Sequence, residues 1–354
     1  MRCPRPSRSA RAAHPQIGSL RPVTSPLDVL TIGNAIVDVL SRAEEDFLLA
    51  QGMAKGAMTL IDEARAEALY GAMGPGVEIS GGSAANTAAG VASLGGNAGF
   101  IGLVRDDGLG SVFAHDIRAA GVTYETRSAG EGPATARCLI LVTPDGERTM
   151  NTYLGAAQNL TTDHIDAALV ERAAITYLEG YLWDPPPAKA AFLAAAEIAH
   201  KAGRQVAITL SDAFCVDRYR AEFLDLIRRG VVDLVFANEG EVKSLYETAD
   251  FDAALARLKA EAKQAVVTRS EKGALFCAGG ALVTVPAAPV AEVVDTTGAG
   301  DLFAAGFLFG HARGLDPATS LRLGALAAAE VISHVGARPQ KTLADLAKEA
   351  GLLR

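Results

Sequence analysis

The sequence is poor in cysteine, in aromatic residues and in long apolar runs. Its four cysteines lie far apart without a Cys-x-x-Cys pair, and its six histidines are equally scattered. This distribution argues against a disulfide framework and a zinc site, and it favours a reduced, cytoplasmic protein. No apolar run reaches the ~18 residues that span a bilayer, so we expect no membrane partner.

The charge distribution separates a short basic start from an acidic remainder. Residues 1–26 hold five arginines, no acidic residue and no apolar core segment, which argues against a secretory signal. Composition alone would allow a transit peptide, but the prolines there weaken an amphipathic helix, and we expect a disordered extension. The whole chain has 33 basic and 41 acidic residues, a balance that argues against general nucleic-acid binding.

Two common nucleotide-binding fingerprints are also missing. The sequence has no Gly-x-Gly-x-x-Gly turn between a strand and a helix, and no Walker A Gly-Lys-Ser/Thr. Their absence argues against a dehydrogenase and against a P-loop kinase.

The order of apolar segments predicts an α/β fold. Residues 27–33 form a first buried strand, and from residue 163 strands at 175–178, 205–210, 233–237 and 265–268 alternate with helices. Such alternation predicts a mostly parallel sheet with helices on both faces. Alternating segments at 137–142 and 148–153, joined by Pro144, Asp145 and Gly146, predict a hairpin in a small separate sheet.

One glycine-rich stretch carries most of the chemistry. Gly298, Ala299 and Gly300 come directly before an apolar helix, so their backbone N–H groups would form an anion site at the helix N-terminus. Asp301 lies beside that site, where a negative charge is unusual. Its carboxylate could cap the helix, or it could accept a proton from a hydroxyl that attacks a bound phosphate.

A second glycine turn and an isolated acid lie earlier in the chain. Gly81 and Gly82 lead into a helix of small residues, where they let the backbone approach a ligand and where Asn86 offers both a donor and an acceptor. Close helix–sheet packing is the alternative explanation for these small residues. Asp38 ends the first strand in the segment 33–38, at the edge where open α/β sheets bind ligands; a surface turn is its alternative.

These two glycine stretches resemble the two signatures of the ribokinase-like (PfkB) family of carbohydrate and nucleoside kinases. The later one matches the pattern Thr-x-Gly-Ala-Gly-Asp, and the earlier one matches Gly-Gly-x-x-x-Asn. The resemblance implies a three-layer α/β/α fold with a mostly parallel central sheet and a small β-sheet lid. We expect one such domain over residues 27–354, with lid segments at about 41–60 and 121–155.

The resemblance also implies roles for individual residues in transfer of phosphate from ATP. Asp301 would be the catalytic base beside the anion hole of 298–300, and Arg148 would reach the transferring phosphate, although a surface arginine is equally compatible with the pattern. Glu241 in Asn-x-x-Glu would organise Mg²⁺ through water, whereas a helix cap is the alternative for Asn238. Asp295 with Thr297 resembles a monovalent-cation loop, which suggests K⁺. The expected substrate contacts are Asn34, Asp38, Gly81, Gly82, Ser83 and Asn86.

Within the family, three segments resemble adenosine kinases. They are 148–157, 179–182 and 210–214, and they would place Tyr181 and Phe214 beside a purine base; ordinary core packing is the alternative for both rings. We therefore expect phosphorylation of the 5′-hydroxyl of a nucleoside, adenosine first, by a monomer or homodimer. A sugar kinase of the same fold (ribose, fructose or a keto-deoxy sugar acid) and a non-catalytic nucleotide-binding regulator are the alternatives.

Overall fold

The structure is a computed structural model that describes residues 26–354. The predicted disordered extension at 1–26 therefore lies outside the described residues, apart from Pro26. Within 26–354, no helix is both long enough and apolar enough to cross a membrane.

The strands of the described chain belong to two sheets. In chain order they are β1 (Leu27–Ile32), β2 (Ile36–Arg42), β3 (Met58–Leu60), β4 (Gly76–Gly81), β5 (Ala98–Ile101), β6 (Val122–Tyr124), β7 (Ala136–Val142), β8 (Arg148–Tyr153), β9 (Ala173–Glu179), β10 (Gln205–Thr209), β11 (Leu234–Asn238), β12 (Gln264–Thr268), β13 (Ala274–Ala278) and β14 (Ala281–Val285). The larger sheet has the order β14-β13-β12-β11-β10-β9-β1-β5-β6, and the smaller has the order β3-β8-β7-β2-β4.

The larger sheet is mostly parallel, as predicted. Strands β6, β5, β1, β9, β10, β11 and β12 run in one direction, and β13 and β14 add an antiparallel hairpin at one edge. The carboxyl ends of the parallel strands therefore meet at one edge of this sheet.

The smaller sheet contains the predicted hairpin. β7 and β8 pair antiparallel, with Leu139 opposite Asn151, and β7 also pairs parallel with β2. The predicted lid segment 121–155 contributes strands to both sheets, because β6 lies in the larger sheet beside β5 whereas β7 and β8 lie in the smaller one. Conversely β4, outside both predicted lid segments, pairs with β2 and belongs to the smaller sheet.

Helices cover both faces of the larger sheet. The helices of the described chain are α1 (Glu45–Ala50), α2 (Glu63–Ala72), α3 (Ser83–Ser93), α4 (Gly108–Ala119), α5 (Ala167–Arg172), α6 (Pro186–Lys201), α7 (Ala213–Arg228), α8 (Glu239–Leu245), α9 (Phe251–Glu261), α10 (Ala299–Ala312), α11 (Pro317–Val331) and α12 (Leu343–Glu349). Of these, α2 packs against β7 and β8 of the smaller sheet. Alternate residues of a strand face opposite sides of the sheet. In β1, Val29 packs with the core of α3, α10 and α11, whereas Leu30 packs with the core of α6 and α7.

A short junction joins the two sheets. β1 ends at Ile32 and β2 begins at Ile36, so residues 33–35 separate a strand of the larger sheet from a strand of the smaller one. The prediction that Asp38 ends the first strand is therefore wrong, because Asp38 lies inside β2. The apolar residues on both sides of the junction look like one continuous run, and the switch of sheets depends on pairing with β7 and β4, which are distant in sequence.

Candidate active site

A cavity of about 400 Å³ lies between the carboxyl ends of the parallel strands and the inner face of the smaller sheet. Its volume falls in the range of ~300–1,000 Å³ that is typical of small-molecule sites. The two glycine stretches reach it from opposite sides, Gly82, Ser83 and Asn86 from α3 and residues 296–301 from the start of α10.

The start of α10 is open toward this cavity. Gly298 is the N-cap with φ +78°, in the left-handed region, and no side chain caps the helix from that position. The backbone there packs closely on Ala337, since a Cβ added to Gly298 would lie 2.8 Å from the Ala337 Cβ. A Cβ on Gly300 would meet nothing within 4 Å. The Ala299 amide donates to the Thr296 backbone oxygen at 3.2 Å, but the Gly300 amide faces open space, which is the arrangement that binds anions.

Asp301 is held by α3 and does not cap its own helix. Its Oδ1 accepts a hydrogen bond from Ser83 Oγ at 2.6 Å, and its Oδ2 accepts one from Asn86 Nδ2 at 3.0 Å. Burial raises the pKa of the Asp301 carboxyl, and the two hydrogen bonds, with the charge of Arg338, lower it. The carboxylate thus lies beside the open helix end with its orientation fixed from the opposite side of the cavity.

The turn before α3 is tightly packed and accepts only glycine. Gly82 has φ +92°, and a Cβ there would lie 2.3 Å from the backbone oxygen of Asn34. A Cβ on Gly81 would lie 2.3 Å from Asp38 Oδ2. The Asp38 carboxylate therefore lies directly against the glycine turn.

Asp38 faces the cavity from the inner surface of the smaller sheet. Burial raises its pKa to about 6, while the charges of Arg338 and Arg148 lower it and that of Asp301 raises it. Cys138 lies opposite Asp38 on β7, and Cys138 also lines the cavity. Near neutral pH the Asp38 carboxylate is thus mostly ionised and able to accept hydrogen bonds.

Asn34 has its polar groups engaged within the protein. Its Nδ2 donates to Glu179 Oε1 at 2.7 Å, and its Oδ1 accepts from Gln158 Nε2 at 3.1 Å. Glu179, which is only 1 % exposed, also accepts from the Ala84 amide at 2.8 Å. Asn34 does not line the cavity, so in this structure its side chain links Glu179 and Gln158 and is not placed to contact a ligand.

Arg148 reaches across from the smaller sheet to the loop before α10. Its Nη1 lies 2.7 Å from Asp295 Oδ2 and donates to Thr297 Oγ1 at 3.1 Å. Its Nε and Nη2 are buried without a partner among the described residues. Asp295 also accepts from the amides of Thr297 and Gly336. The guanidinium therefore lies beside the open helix end with unused N–H groups, and the Asp295 carboxylate is already paired with a cation.

Asn238 and Glu241 form the N-terminal cap of α8, which the sequence analysis gave as the alternative to a Mg²⁺ site. The Asn238 side chain accepts from the Glu241 amide at 2.8 Å, and the Glu241 carboxylate accepts in return from the Asn238 amide at 3.0 Å. Both residues also line the cavity. Burial raises the pKa of Glu241 to about 7, and the charge of Asp212 adds to the rise. Across residues 26–354, Glu241 forms no ion pair, so a cation in the cavity would offset its buried charge.

Comparison with known proteins agrees with this architecture. Residues 64–343 match the model of the pfkB family of carbohydrate kinases. The chain is a member of this family. Membership makes it a phosphotransferase that acts on an alcohol group of a carbohydrate or a nucleoside, and it implies ATP as the phosphate donor.

Individual relatives divide between nucleoside and sugar kinases. The chain resembles the crystal structure of an adenosine kinase from Sinorhizobium meliloti, with 55 % identity and a TM-score of 0.85 over 92 % of this chain and 100 % of that one. It equally resembles a probable sugar kinase from Rhizobium etli CFN 42, with 55 % identity and a TM-score of 0.87 over 93 % of this chain and 100 % of that one. It is also 31 % identical to fructokinase-1 from Zea mays over 66 % of this chain and 73 % of that protein.

The two predicted aromatic contacts of this pfkB kinase lie in different places. Tyr181 lines the cavity, and its hydroxyl donates to the backbone oxygen of Ser211 at 3.2 Å. Phe214 does not line the cavity, is 66 % exposed, and has the Arg218 guanidinium 4.7 Å from its ring centre. The predicted place of Phe214 beside a base is therefore not what the structure shows. The ring lies in the first turn of α7, on the side opposite the buried Cys215 and Val216.

Several residues of the site carried no role in the sequence analysis. Ser211 lines the cavity with φ +73°, a strained conformation for a residue other than glycine. Glu179 and Arg338 contact the glycine turn from segments about 95 and 250 residues away in sequence. Only Glu179 left a signal, as an acid within the apolar segment 173–182. The other lining residues without a predicted role include Cys138, Thr152, Tyr177, Thr209 and Thr268.

Proposed function

We propose that this pfkB kinase transfers the γ-phosphate of ATP to the 5′-hydroxyl of a purine nucleoside, with adenosine converted to AMP. The observation that carries the proposal is the placement of Asp301, whose carboxylate lies between the open N-terminus of α10 and the turn that touches Asp38. One carboxylate is thus available to a reacting hydroxyl, and the other is available to neighbouring hydroxyls of the same acceptor.

The acceptor binds against the smaller sheet. Ionised Asp38 accepts hydrogen bonds from the vicinal hydroxyls of the ribose, and the glycine turn allows the sugar to approach the backbone. Tyr181 supplies one wall for the base. Ser83 and Asn86, predicted as substrate contacts, each donate to one Asp301 oxygen, which leaves the carboxylate able to accept from the 5′-hydroxyl as well.

The transfer step needs a base and stabilisation of charge. The 5′-oxygen attacks the γ-phosphorus, the bond to the leaving ADP oxygen breaks, and the proton of the hydroxyl passes to Asp301. The amides of Gly298 and Gly300 and the free N–H groups of Arg148 stabilise the transferring phosphate, whereas the Ala299 amide donates to the Thr296 backbone oxygen at 3.2 Å. We place the smaller sheet as the lid of the domain 27–354, which excludes water because hydrolysis competes with transfer.

A divalent cation fits the residues of the site at Glu241 and Asn238, whereas the Asp295 carboxylate already has an arginine as a partner. Glu241 and Asn238 would hold Mg²⁺ through water, and Mg²⁺ would neutralise charge on the nucleotide phosphates. Asp295 Oδ1 accepts only from the Thr297 amide, whereas Oδ2 contacts the Arg148 guanidinium and the Gly336 amide, and K⁺ at this loop stays a prediction. The proposal therefore contains no step that uses K⁺.

A sugar kinase is the second candidate. It is favoured by the exposure of Phe214, which removes one of the two predicted base contacts, and by the equal similarity to the Rhizobium etli protein. The same Asp301 and α10 would then serve a free sugar. As part of the proposal we place the protein in the cytoplasm, which cell fractionation with an antibody tests.

The test is ADP release by the purified full-length protein with MgATP and one acceptor at a time. Adenosine, inosine, guanosine, ribose and fructose are compared at equal concentration, with a no-acceptor control for hydrolysis. We expect turnover with adenosine well above that with either sugar. Turnover with ribose or fructose alone would replace the nucleoside proposal by the sugar-kinase alternative.

A further inference from the structure

The segment after α11 touches both glycine turns of the site. The Gly336 amide donates to Asp295 Oδ2 at 2.8 Å, and Ala337 packs against Gly298 at the start of α10. The next residue, Arg338, reaches the turn before α3. Three consecutive residues therefore connect the phosphate side of the cavity with the acceptor side.

Arg338 binds the acceptor turn on both sides of its glycines. Its Nε and Nη2 donate to the backbone oxygen of Ser80 at 3.2 and 2.8 Å, and its Nη1 donates to that of Ala85 at 3.1 Å. Nη2 also donates to Ser80 Oγ at 2.9 Å. The planar fork of the guanidinium thus spans residues 81–84, which a single point charge on a lysine could not do.

The partners of Arg338 connect it to both reactive carboxylates. The turn that it spans carries Ser83, which holds Asp301, and contains Gly81, which lies against Asp38. The same turn is tied to α4, because the amide and the hydroxyl of Ser80 donate to Asp116 Oδ2 at 2.8 and 2.6 Å.

We propose that Arg338 is a positioning residue for phosphoryl transfer, which fixes the acceptor turn against α10 and supplies positive charge to Asp38 and Asp301. The inference uses the proposed roles of those two carboxylates and adds a residue to which neither family signature extends. It holds for a nucleoside or a sugar acceptor, because both would contact the same turn.

The charges around Arg338 give the proposal a second readout. Asp116 of α4, Asp38 of β2 and Asp301 of α10 all face its guanidinium, and Arg148 also acts on Asp38. Arg338 lowers the pKa of both Asp38 and Asp301, against the rise that burial causes. Since Asp301 accepts a proton only when ionised, loss of Arg338 would move the acidic limb of the rate profile to higher pH.

The experiment compares Arg338→Met and Arg338→Lys with the wild type in full steady-state kinetics. For Arg338→Met we expect the acceptor KM to rise about tenfold or more, because several charge-assisted hydrogen bonds are lost, with a much smaller change in the KM for ATP. The acidic limb of kcat/KM should move to higher pH. Arg338→Lys should keep the acidic limb at its wild-type pH, because the positive charge is kept, but its acceptor KM should stay above that of the wild type.

The matched control is Arg313→Met. Arg313 also donates to a backbone oxygen, that of Gly95 at 2.9 Å, but it lies at the far end of α10 and contacts no residue of the cavity. Its removal should leave both KM values and the pH profile unchanged. Thermal unfolding of each variant checks that folding is intact.

The outcomes separate this inference from the proposed function. The acceptor is whichever compound the wild type phosphorylates, so turnover of a sugar alone would defeat the nucleoside proposal and still allow the Arg338 comparison. A folded Arg338→Met enzyme with unchanged acceptor KM and unchanged pH limb would overturn the inference. If Arg338→Met does not fold, the lysine variant decides, and a wild-type acceptor KM in that variant would overturn the positioning role.

Discussion

The N-termini of α3 and α10 have similar backbone conformations but different surroundings. Each has a glycine N-cap with positive φ, Gly82 at +92° and Gly298 at +78°, and neither N-cap residue offers a capping side chain. At α3 the second amide, that of Ala84, donates to the buried carboxylate of Glu179. At α10 the corresponding residue, Gly300, faces open space. One helix end is filled by a carboxyl group of the protein itself, and the other is open to an anion from outside.

This difference suggests separate roles for the two glycine turns, the one before α3 and the one before α10. The Glu179 carboxyl accepts hydrogen bonds from the Ala84 amide and from Asn34, so it fixes the start of α3, which carries Ser83 and Asn86. The empty end of α10 has no such internal partner and is free to bind a phosphate. Asp301 lies where the two helix ends face each other.

The largest effect on kcat is expected for Asp301, which lies between the N-termini of α3 and α10. Asp301→Asn should keep the fold and acceptor binding but lower kcat by at least about a hundredfold, because an amide cannot accept the proton. Steady-state kinetics and acceptor titration measure the two quantities. Asp252→Asn, in the exposed first turn of α9, is the control and should retain full activity. An Asp301→Asn enzyme with near-normal kcat would remove Asp301 from the role of base.

A pair of glycine substitutions tests the contrast between the two turns directly. Gly82→Ala should destabilise the protein by at least about 2 kcal/mol, because it combines strained backbone with a collision at the Asn34 oxygen. Gly300→Ala should stay within about 1 kcal/mol of the wild type, since Ala is helix-compatible and its Cβ meets no neighbour.

The same pair should show the opposite order in nucleotide binding. The new methyl group of Gly300→Ala would project into the phosphate space and raise the KM for ATP about tenfold, by displacing hydrogen bonds to a charged group. Thermal unfolding and ATP titration of the two variants give the comparison. Equal stability of the two variants would show that the turns are not packed as described.

The last prediction concerns the buried carboxyl group of Glu179. Burial raises the pKa of Glu179 from 4.5 to about 7, so the folded state binds a proton more tightly than the unfolded state does. The resulting contribution to stability is present below pH 4.5 and is lost as pH rises to about 7, by up to about 1.4 kcal/mol per pH unit. Glu179→Gln should therefore lose less stability than the wild type between pH 5 and 7.5.

Denaturant unfolding at several pH values measures this slope. Glu349→Gln, an exposed residue in the last turn of α12, is the matched control and should follow the wild type. A Glu179→Gln slope equal to that of the wild type would mean that Glu179 is ionised as easily in the folded as in the unfolded chain.

The sequence predicted the parts of the site that depend on local pattern. The glycine stretch before α10 needs only a turn and a following apolar helix, so its place at the cavity could be predicted from residues 295–308 alone. The parallel sheet followed from the spacing of strands and helices. The catalytic role of Asp301 stays a prediction.

What the sequence did not predict depends on contacts between distant segments. Asp38 looked like the end of one strand because nothing nearby marks the change of sheet at 33–35. Phe214 looked like a base contact because its segment matches a pattern, whereas its direction is set by the packing of α7. Arg338 had no pattern at all, since its partners Ser80 and Ala85 lie about 250 residues earlier.

In a rotation of the smaller sheet relative to the larger one, the junction at residues 33–35 would be the fulcrum. Any rotation of the smaller sheet about this point carries β2 as a lever arm, and Asp38 is the third residue of that seven-residue strand. With a rise of about 3.3 Å per residue, Asp38 lies roughly 10 Å from the fulcrum and Arg42 roughly 23 Å from it. A swing that opens the outer edge wide therefore moves Asp38 less than half as far. Such a rotation would widen the cavity most at the outer edge of the smaller sheet and least beside Asp38.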